Sequence, residues 1–120
     1  MWVCIIRFLS KYHRLHNAED FSSVLRFRCS NNGEFFRIFA RPNNLTYSRL
    51  GFIVAGKVER LAVNRNRVKR LLRELFRVKH QQLSGLDFVV RLQRRLSLED
   101  SARARAEADM LMTQLLRCRD

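Results

Sequence analysis

The fold of this chain is decided by residues 50–92, which read LGFIVAGKVERLAVNRNRVKRLLRELFRVKHQQLSGLDFVVRL. The two ends of this stretch, 50–55 and 86–92, are short apolar runs rich in β-branched and aromatic residues, and such runs predict strands. Between the ends, helical spacing creates one apolar stripe formed by Val68, Leu71, Leu72, Leu75 and Phe76. The stretch therefore predicts a βαβ unit. Its first strand is apolar on both faces and is expected at the centre of the sheet.

The segments on either side of this unit add two helices and a strand. Asn17-Ala18-Glu19-Asp20 predicts a helix start, because Asn can cap a helix and acidic residues suit its positive end. Residues 35–40 predict a further strand, and Ser97 with Asp100 predicts a capped last helix. The side chains that this helix would bury are Ala104, Ala108, Leu111, Met112 and Leu115. The chain is thus predicted to be one α+β domain over residues 1–120, an α/β sandwich in which three helices pack on a small mixed sheet of three or four strands.

The charge of the chain indicates an anionic partner. Lys and Arg number 24 against 11 Asp and Glu, a formal net charge of +13 over 120 residues. A compact domain with this excess repels itself, and nucleic acid relieves that repulsion. The lysines are Lys11, Lys57, Lys69 and Lys79, so arginine dominates, and guanidinium groups suit phosphates and RNA bases. The basic residues are spread along the whole chain rather than beside one apolar helix face, so we expect no membrane partner.

The predicted helix of the βαβ unit carries most of the candidate binding chemistry. Opposite its apolar stripe, an arc of roughly 140° holds Arg65, Asn66, Lys69, Arg70, Arg73 and Arg77. Successive cations on this arc are one turn, about 5.4 Å, apart. A solvated helix face usually mixes charges, since opposite charges four residues apart stabilise it. Glu74 is the only acid between Arg65 and Arg77, so the pattern favours nucleic-acid binding over an ordinary solvated face.

The motif on this helix resembles one in a known family. Residues 65–73 read Arg-Asn-Arg-x-Lys-Arg-x-x-Arg, and Gly-x-x-Val-x-x-Lys at 51–57 precedes them. Further blocks follow the same family in order and spacing: Arg14-Leu15, Asp20-Phe21, Arg49–Val54 and Asp87–Val90. Together the blocks cover about residues 8 to 116, and the chain resembles the bacterial ribonuclease P protein family.

This resemblance implies an α/β sandwich with a left-handed βαβ crossover, against the usual right-handed rule. It also implies that the protein binds the RNA subunit of ribonuclease P and the 5′ leader of precursor tRNA. The RNA subunit, with bound Mg²⁺, would carry out the hydrolysis, and the protein would contribute no catalytic residue and no metal ligand. No obligate protein partner is expected.

Two sets of site residues follow from the residues and the resemblance together. The RNA-binding set is Arg49, Lys57, Arg60, Asn64, Arg65, Asn66, Arg67, Lys69, Arg70 and Arg73. The leader-binding set, in a cleft between the first helix and the sheet, is Phe21, Leu25, Phe36, Phe39 and Phe52. Single-stranded bases stack on aromatic rings, but the same rings could instead fill the core. Which of Phe35, Phe36, Ile38 and Phe39 lines the cleft stays open.

Two positions depart from the family's pattern. Leu25 stands where the family commonly has a second aromatic one turn after Phe21, so weaker stacking is expected there. Gly56 replaces the first of two lysines at the end of the strand, which leaves Lys57 alone and removes one expected charge.

Three other functions fit parts of the sequence. A protein nuclease would need clustered carboxylates or paired histidines, whereas the acids are scattered and His13, His16 and His80 have no acidic partner in the pattern. A ribosomal or other structural RNA-binding protein shares the charge and much of the architecture, and only the resemblance separates it. A helix-turn-helix DNA binder would need two helices joined by a short turn, whereas strands flank the basic helix.

The cysteines and the first residues bear on the compartment. Cys4, Cys29 and Cys118 are odd in number and far apart, and they predict free thiols in a reducing cytoplasm. Residues 1–8 are predicted to be a loose N-terminal extension, because the apolar opening is too short for a membrane span and lacks the features of a signal peptide.

Overall fold

The computed structural model describes Leu15 and residues 18–119 of the chain. This part contains three α-helices and four strands: α1 (Ala18–Arg26), β1 (Cys29–Asn32), β2 (Phe36–Pro42), β3 (Arg49–Ile53), α2 (Ala62–Lys79), β4 (Leu86–Leu92) and α3 (Ser101–Gln114). Short 3₁₀ turns at Leu98–Asp100 and Leu115–Arg119 flank α3. The predicted α+β class, with three helices and a small mixed sheet, is confirmed.

The sheet has the strand order β1-β2-β4-β3. β1, β2 and β4 pair antiparallel, whereas β3 and β4 are parallel and are joined through α2. The predicted βαβ unit is therefore confirmed. The left-handed sense of its crossover stays a prediction.

The prediction that the strand at 50–55 lies at the centre of the sheet is wrong. β3 is an edge strand, and β4 lies between two neighbours. A strand that is apolar on both faces is covered on both faces by other parts of the protein. Such a strand can still lie at the edge of the sheet, because coverage of its faces does not depend on the number of neighbouring strands. Phe52 packs in the cluster with α2 and Ile53 in the cluster with α1. The Leu15 amide also donates to the Leu50 carbonyl at 3.3 Å, so the chain before α1 adds a hydrogen bond to this edge strand.

The sheet separates two hydrophobic clusters. The larger cluster lies on the side of α2 and α3, and it includes Phe36, Phe52 and Phe88. The α1-side cluster is formed by Leu15, Phe21, Val24, Phe39, Ile53 and Val89, with Leu25 partly buried against it. The predicted apolar stripe of α2 is confirmed, with Leu71 only partly buried, and so is the predicted inward face of the last helix.

β1 is an element that the sequence pattern does not indicate. Residues 29–32 read Cys-Ser-Asn-Asn, a polar stretch typical of a turn, yet they pair with residues 37–40 of β2. The turn between β1 and β2 is held from outside by α3. The Glu107 carboxylate accepts the backbone N–H groups of residues 34, 35 and 36, at 2.5, 2.9 and 2.9 Å. Contacts distant in sequence therefore fix this edge of the sheet.

The predicted capping box before α3 is confirmed, although a 3₁₀ turn precedes the α-helix. Asp100 Oδ2 accepts the backbone N–H of Ser97 at 3.0 Å, and Asp100 Oδ1 accepts a guanidinium N–H of Arg103 at 2.9 Å. The Ser97 backbone bond, followed by the Arg103 bond, lowers the pKa of Asp100 to about 2. Because folding lowers this pKa, the associated stability is complete above about pH 4. It is lost as the pH falls towards about 2.

The prediction of free thiols is wrong for two of the cysteines. Cys29 in β1 and Cys118 in the C-terminal 3₁₀ turn form a disulfide, with their Cα atoms 6.1 Å apart. The two residues are separated by 89 positions in sequence, and only the packing of the C-terminal turn beside the sheet brings them together. Cys4 lies outside the described residues, as do residues 1–8 and the predicted cap Asn17.

We predict that Glu107→Gln lowers the free energy of unfolding by about 1.5–3 kcal/mol, the range for hydrogen bonds to a charged group. The glutamine amide has the same size as the carboxylate but no charge. Its NH₂ group would also face a backbone N–H donor, so one of the present hydrogen bonds could not form. Urea unfolding measures the change. The control is Glu99→Gln, an exposed carboxylate before the same helix, for which we expect a change within about 0.5 kcal/mol. Equal losses in both variants would contradict the role assigned to Glu107.

Candidate nucleic-acid interface

The cations that reach solvent in the basic region form two groups. On α2, Arg70 and Arg77 are exposed, together with the amide of Asn66. In the loop before α2, Lys57 and Arg60 are exposed. The structure therefore leaves these side chains of the basic region open to a ligand, although Arg77 was not in the predicted RNA-binding set.

Two arginines of the motif are tied to backbone carbonyls. Arg65 Nη1 donates to the carbonyls of Glu59 and Arg60 at 2.9 Å each, which holds the loop that leads into α2. Arg67 Nη2 donates to the carbonyl of Leu96 at 2.5 Å, which ties α2 to the segment after β4. Both side chains remain partly exposed. They position the helix and still present part of their charge at its surface.

The prediction that Lys69 lies on an open cationic face is wrong, because only 2% of its surface is exposed. Helical periodicity places a residue on an arc of the helix but does not show what packs over that arc. Arg73, one turn further on, is half-buried, and so is Asn64 in the first turn. The open side of α2 is therefore narrower than the predicted arc.

A groove between α2 and α3, here called the α2–α3 groove, brings cations around an apolar floor. Its volume is about 320 Å³, and it is lined by Arg67, Arg70, Leu71, Glu74, Leu98, Ser101, Ala102 and Arg105. Three guanidinium groups thus stand against one carboxylate, and Leu98 in the same groove is 70% exposed. Such a surface suits RNA, because phosphates contact the cations while bases contact the apolar floor.

A second basic surface surrounds the loop before α2. A depression of about 360 Å³ is lined by Lys57, Val58, Glu59, Arg60, Leu61 and Arg95. Another, of about 440 Å³, is lined by Glu59, Asn64, Arg94, Arg95, Leu96, Ser97 and Asp100. The Glu59 carboxylate is almost fully buried and lies 3.6 Å from Arg95 Nε, so it offsets one of these cations. Arg94, Arg95 and Arg105 are absent from the predicted set because they lie outside the helical motif, and only the general arginine excess signals them.

Arg49 belongs to an internal ion pair rather than to an open surface. Its Nε and Nη2 donate to the two carboxylate oxygens of Asp87 at 2.8 and 2.5 Å, and its Nη1 lies 3.7 Å from Asp20 Oδ2. Asp87 is 1% exposed, and its hydrogen bond raises the pKa of Arg49. The charge of Arg49 therefore neutralises Asp87 and holds the start of α1, and its predicted role in RNA binding stays a prediction.

The leader-binding set is divided between the two faces of the sheet. Phe21, Leu25 and Phe39 meet in the α1-side cluster, as the predicted cleft requires. Phe36 and Phe52 point to the other side, where both are fully buried with α2 and α3. Their assignment to the cleft is wrong, because alternate residues of a strand face opposite sides. The β2 aromatic on the α1 side is Phe39.

Phe21 packs closely against the sheet. It is 3% exposed, and a Cβ atom added to Gly51 would lie only 2.2 Å from Cζ of its ring. Glycine at this position is what allows α1 to approach β3 so closely. In this structure Phe21 is therefore foremost a packing residue, and its role in binding a leader stays a prediction.

We predict that Phe21→Ala lowers the free energy of unfolding by about 3–5 kcal/mol. Gly51→Ala should also destabilise, because the new methyl group collides with the ring. In the double variant the methyl group occupies part of the space that the ring leaves, so the combined loss should be smaller than the sum of the single losses. Chemical denaturation of the four proteins measures this cycle. Additive losses would show that the two residues do not share the contact.

Metal-binding side chains do not cluster in the part of the chain that the structure describes. No group of three or more His, Cys, Asp or Glu residues there could hold a metal ion. Across the same residues, no helix combines the length and apolar character needed to cross a membrane.

The fold and the basic surfaces together define an α+β protein that binds a polyanion. The family model described as Ribonuclease P matches residues 9–116 of the chain. The ribonuclease P protein component of Chromobacterium violaceum is 43% identical over 107 residues, which cover 89% of this chain and 88% of the relative. That of Nitrosomonas europaea is 43% identical over 109 residues, which cover 91% and 92%. The chain belongs to the ribonuclease P protein family.

Solved structures agree with this assignment. The ribonuclease P protein from Thermotoga maritima superposes with a TM-score of 0.64 at 29% identity, covering 86% of this chain and 94% of that one. The Staphylococcus aureus protein has a TM-score of 0.68 at 23% identity, covering 88% and 93%, and supports the fold alone. The predicted family, the RNA-binding class and the role as a protein component of ribonuclease P, a tRNA-processing ribonucleoprotein, are confirmed.

Proposed function

We propose that this chain assists a catalytic RNA subunit in removing the 5′ leader from precursor tRNA. The observation that carries the proposal is the α2–α3 groove, in which Arg67, Arg70 and Arg105 surround an apolar floor. This groove, with the exposed Lys57 and Arg60, would bind the RNA subunit through its phosphates. The leader would lie on the α1 side of the sheet, beside the α1-side cluster.

The RNA subunit, with its own Mg²⁺, would carry out the hydrolysis. Support for this division comes from the state of the protein's acids: Asp20 and Asp87 share Arg49, and Glu59 lies beside Arg95, so each of these carboxylates is already engaged with an arginine. The protein would bind and orient the two RNAs and offset their charge. A cytoplasmic location without an obligate protein partner belongs to the same proposal, because tRNA matures where it is transcribed and translated.

We predict that the purified, RNA-free protein leaves precursor tRNA intact. Addition of the RNA subunit from the same organism and Mg²⁺ should give cleavage at the mature 5′ end. The products are resolved by gel electrophoresis of 5′-labelled precursor, with RNA subunit alone at the same Mg²⁺ concentration as the control. Metal-dependent cleavage by protein that has been freed of RNA with nuclease would contradict the proposal.

We predict that Arg70→Ala weakens binding of the RNA subunit. Losing one phosphate contact should also flatten the dependence of log affinity on log salt by somewhat under one unit. Filter binding over a series of salt concentrations measures both effects, and circular dichroism should show an unchanged fold because Arg70 is exposed. The control is Arg26→Ala, which removes the same charge from an exposed site at the end of α1. An equal effect of the two variants would place the RNA surface elsewhere.

A further inference from the structure

The α1 side of the sheet carries cross-strand rows whose charges can be compared. Register places Ile53 of β3, Arg91 of β4 and Arg37 of β2 side by side in one row. In the neighbouring row Gly51, Val89 and Phe39 are apolar, and Ser30 of β1 lies beside Phe39 at the end of the row. Phe39, Val89 and Ile53 belong to the α1-side cluster. Because side chains two residues apart share a face, Arg37 and Arg91 lie on this same side of the sheet.

The row at the other end of this face contains a carboxylate. It contains Arg49, Asp87 and Arg41, with the acid on the central strand between two arginines. Asp87 accepts two hydrogen bonds from Arg49, as described above. In this row the fold therefore supplies a carboxylate that offsets the charge of Arg49.

The row of Arg37 and Arg91 has no such acid. The two arginines are direct partners on neighbouring antiparallel strands, and the row continues to Ile53 on β3 and to Asn32 on β1, neither of which carries a charge. Across the described residues, neither side chain forms an ion pair with a carboxylate. Like charges directly opposite each other on neighbouring strands destabilise a sheet. The repulsion between Arg37 and Arg91 therefore destabilises the sheet, and no carboxylate of the described residues offsets it.

The surroundings of the two guanidinium groups leave them available to a ligand. Arg91 is exposed, the one exposed residue of β4. Arg37 is half-buried, its guanidinium carbon lies 5.0 Å from the centre of the Phe39 ring, and its Nε has no hydrogen-bond partner. A buried donor without a partner is costly unless a ligand completes it. One guanidinium is thus held in place by a ring, and a second stands beside it in solvent.

We propose that Arg37 and Arg91 together bind one phosphodiester group of the precursor's single-stranded leader, at the end of the α1-side cluster. An anionic group between the two guanidinium groups would offset their repulsion and accept forked hydrogen bonds from each. The proposal rests on the proposed function, because it presupposes that the leader lies on the α1 side of the sheet. It concerns the phosphate backbone, so it requires a leader long enough to reach the pair and no particular base.

The test uses the holoenzyme and precursor tRNAs that carry one uncharged methylphosphonate linkage, moved along the leader position by position. With an all-phosphate leader, Arg91→Gln and Arg37→Gln should each weaken precursor binding about 5- to 30-fold. At one leader position, the uncharged linkage should weaken binding to the wild-type holoenzyme by a similar factor. At that position it should have no further effect on either variant. Losses that multiply at every position would overturn the proposal.

Arg117→Gln is the matched control for loss of net charge, since it removes an exposed arginine from the C-terminal 3₁₀ turn, which packs on the other side of the sheet and lies outside the α2–α3 groove. It should show no dependence on where the uncharged linkage lies in the leader. Leaderless tRNA separates this proposal from the proposed function. A wild-type holoenzyme that binds leaderless and leader-bearing tRNA equally would refute the leader role itself. A wild-type preference for the leader that both Gln variants retain in full would overturn only the Arg37–Arg91 site.

The RNA-free protein supplies a second readout. If the two cations serve a ligand rather than the fold, Arg91→Gln should leave the melting temperature unchanged or raise it at low salt, and any gain should shrink as salt screens the repulsion. A lower melting temperature for Arg91→Gln, at low and high salt alike, would show that Arg91 stabilises the sheet and would overturn the proposal.

Discussion

The Asp87 carboxylate is buried in the inner strand β4, and the arrangement of β3, β4 and α1 depends on its pairing with Arg49. A buried carboxylate that loses its cation costs several kcal/mol, about 3–5 when one partner of such a pair is removed. Arg49 reaches Asp87 from β3, and the amide of Asn43 donates to the same carboxylate at 2.8 Å. Because Arg49 also lies beside Asp20, this one arginine joins β4 to β3 and both strands to the first turn of α1. Removal of Arg49 would therefore disturb the fold before it reported on RNA.

The same distinction applies to the other arginines. Arg65 and Arg67 donate to backbone carbonyls, and each thereby joins α2 to a neighbouring segment. Arg70, in contrast, is exposed and lines a groove. A helix whose cations are divided in this way is held rigidly while it presents a charged surface, which suits recognition of a folded RNA by shape and phosphate position. A substitution of Arg65 or Arg67 would therefore change both the stability of the fold and the affinity for RNA. A substitution of the exposed Arg70 would change the affinity for RNA alone.

The sequence predicts well what depends on periodicity within one element. Residues 86–92 form a strand with the predicted bounds, the capping box of Ser97 and Asp100 is present, and α2 buries the predicted stripe. Prediction from the sequence fails for features that depend on packing between segments distant along the chain. The edge position of β3, the polar strand β1, the Cys29–Cys118 disulfide and the burial of Lys69 all arise from such contacts.

The candidate site shows the same limit at the level of single side chains. The sequence analysis predicts one cleft for the aromatic residues of β2 and β3 because aromatic rings can stack on bases, whereas the pleat directs Phe36 and Phe52 to one side of the sheet and Phe39 to the other. Strand alternation, applied with the correct register, could have separated them. It could also have placed Arg37 beside Phe39, but its cross-strand partner Arg91 requires the pairing of β2 with β4. Pairing register is a property of the whole sheet, so no local pattern contains it.

The position of the acids explains why a stable fold can carry so large a positive charge. The acids that form ion pairs with arginine or lysine are Asp20, Glu34, Glu59, Asp87, Asp100 and Asp109. Glu107, in turn, accepts three backbone N–H groups. These acids stabilise turns, helix ends and strand pairs, and little negative charge remains to neutralise the exposed cations of the α2–α3 groove or the row of Arg37 and Arg91. At these two surfaces positive charge therefore remains that the acids of the fold do not offset, and there an RNA phosphate gains most by binding.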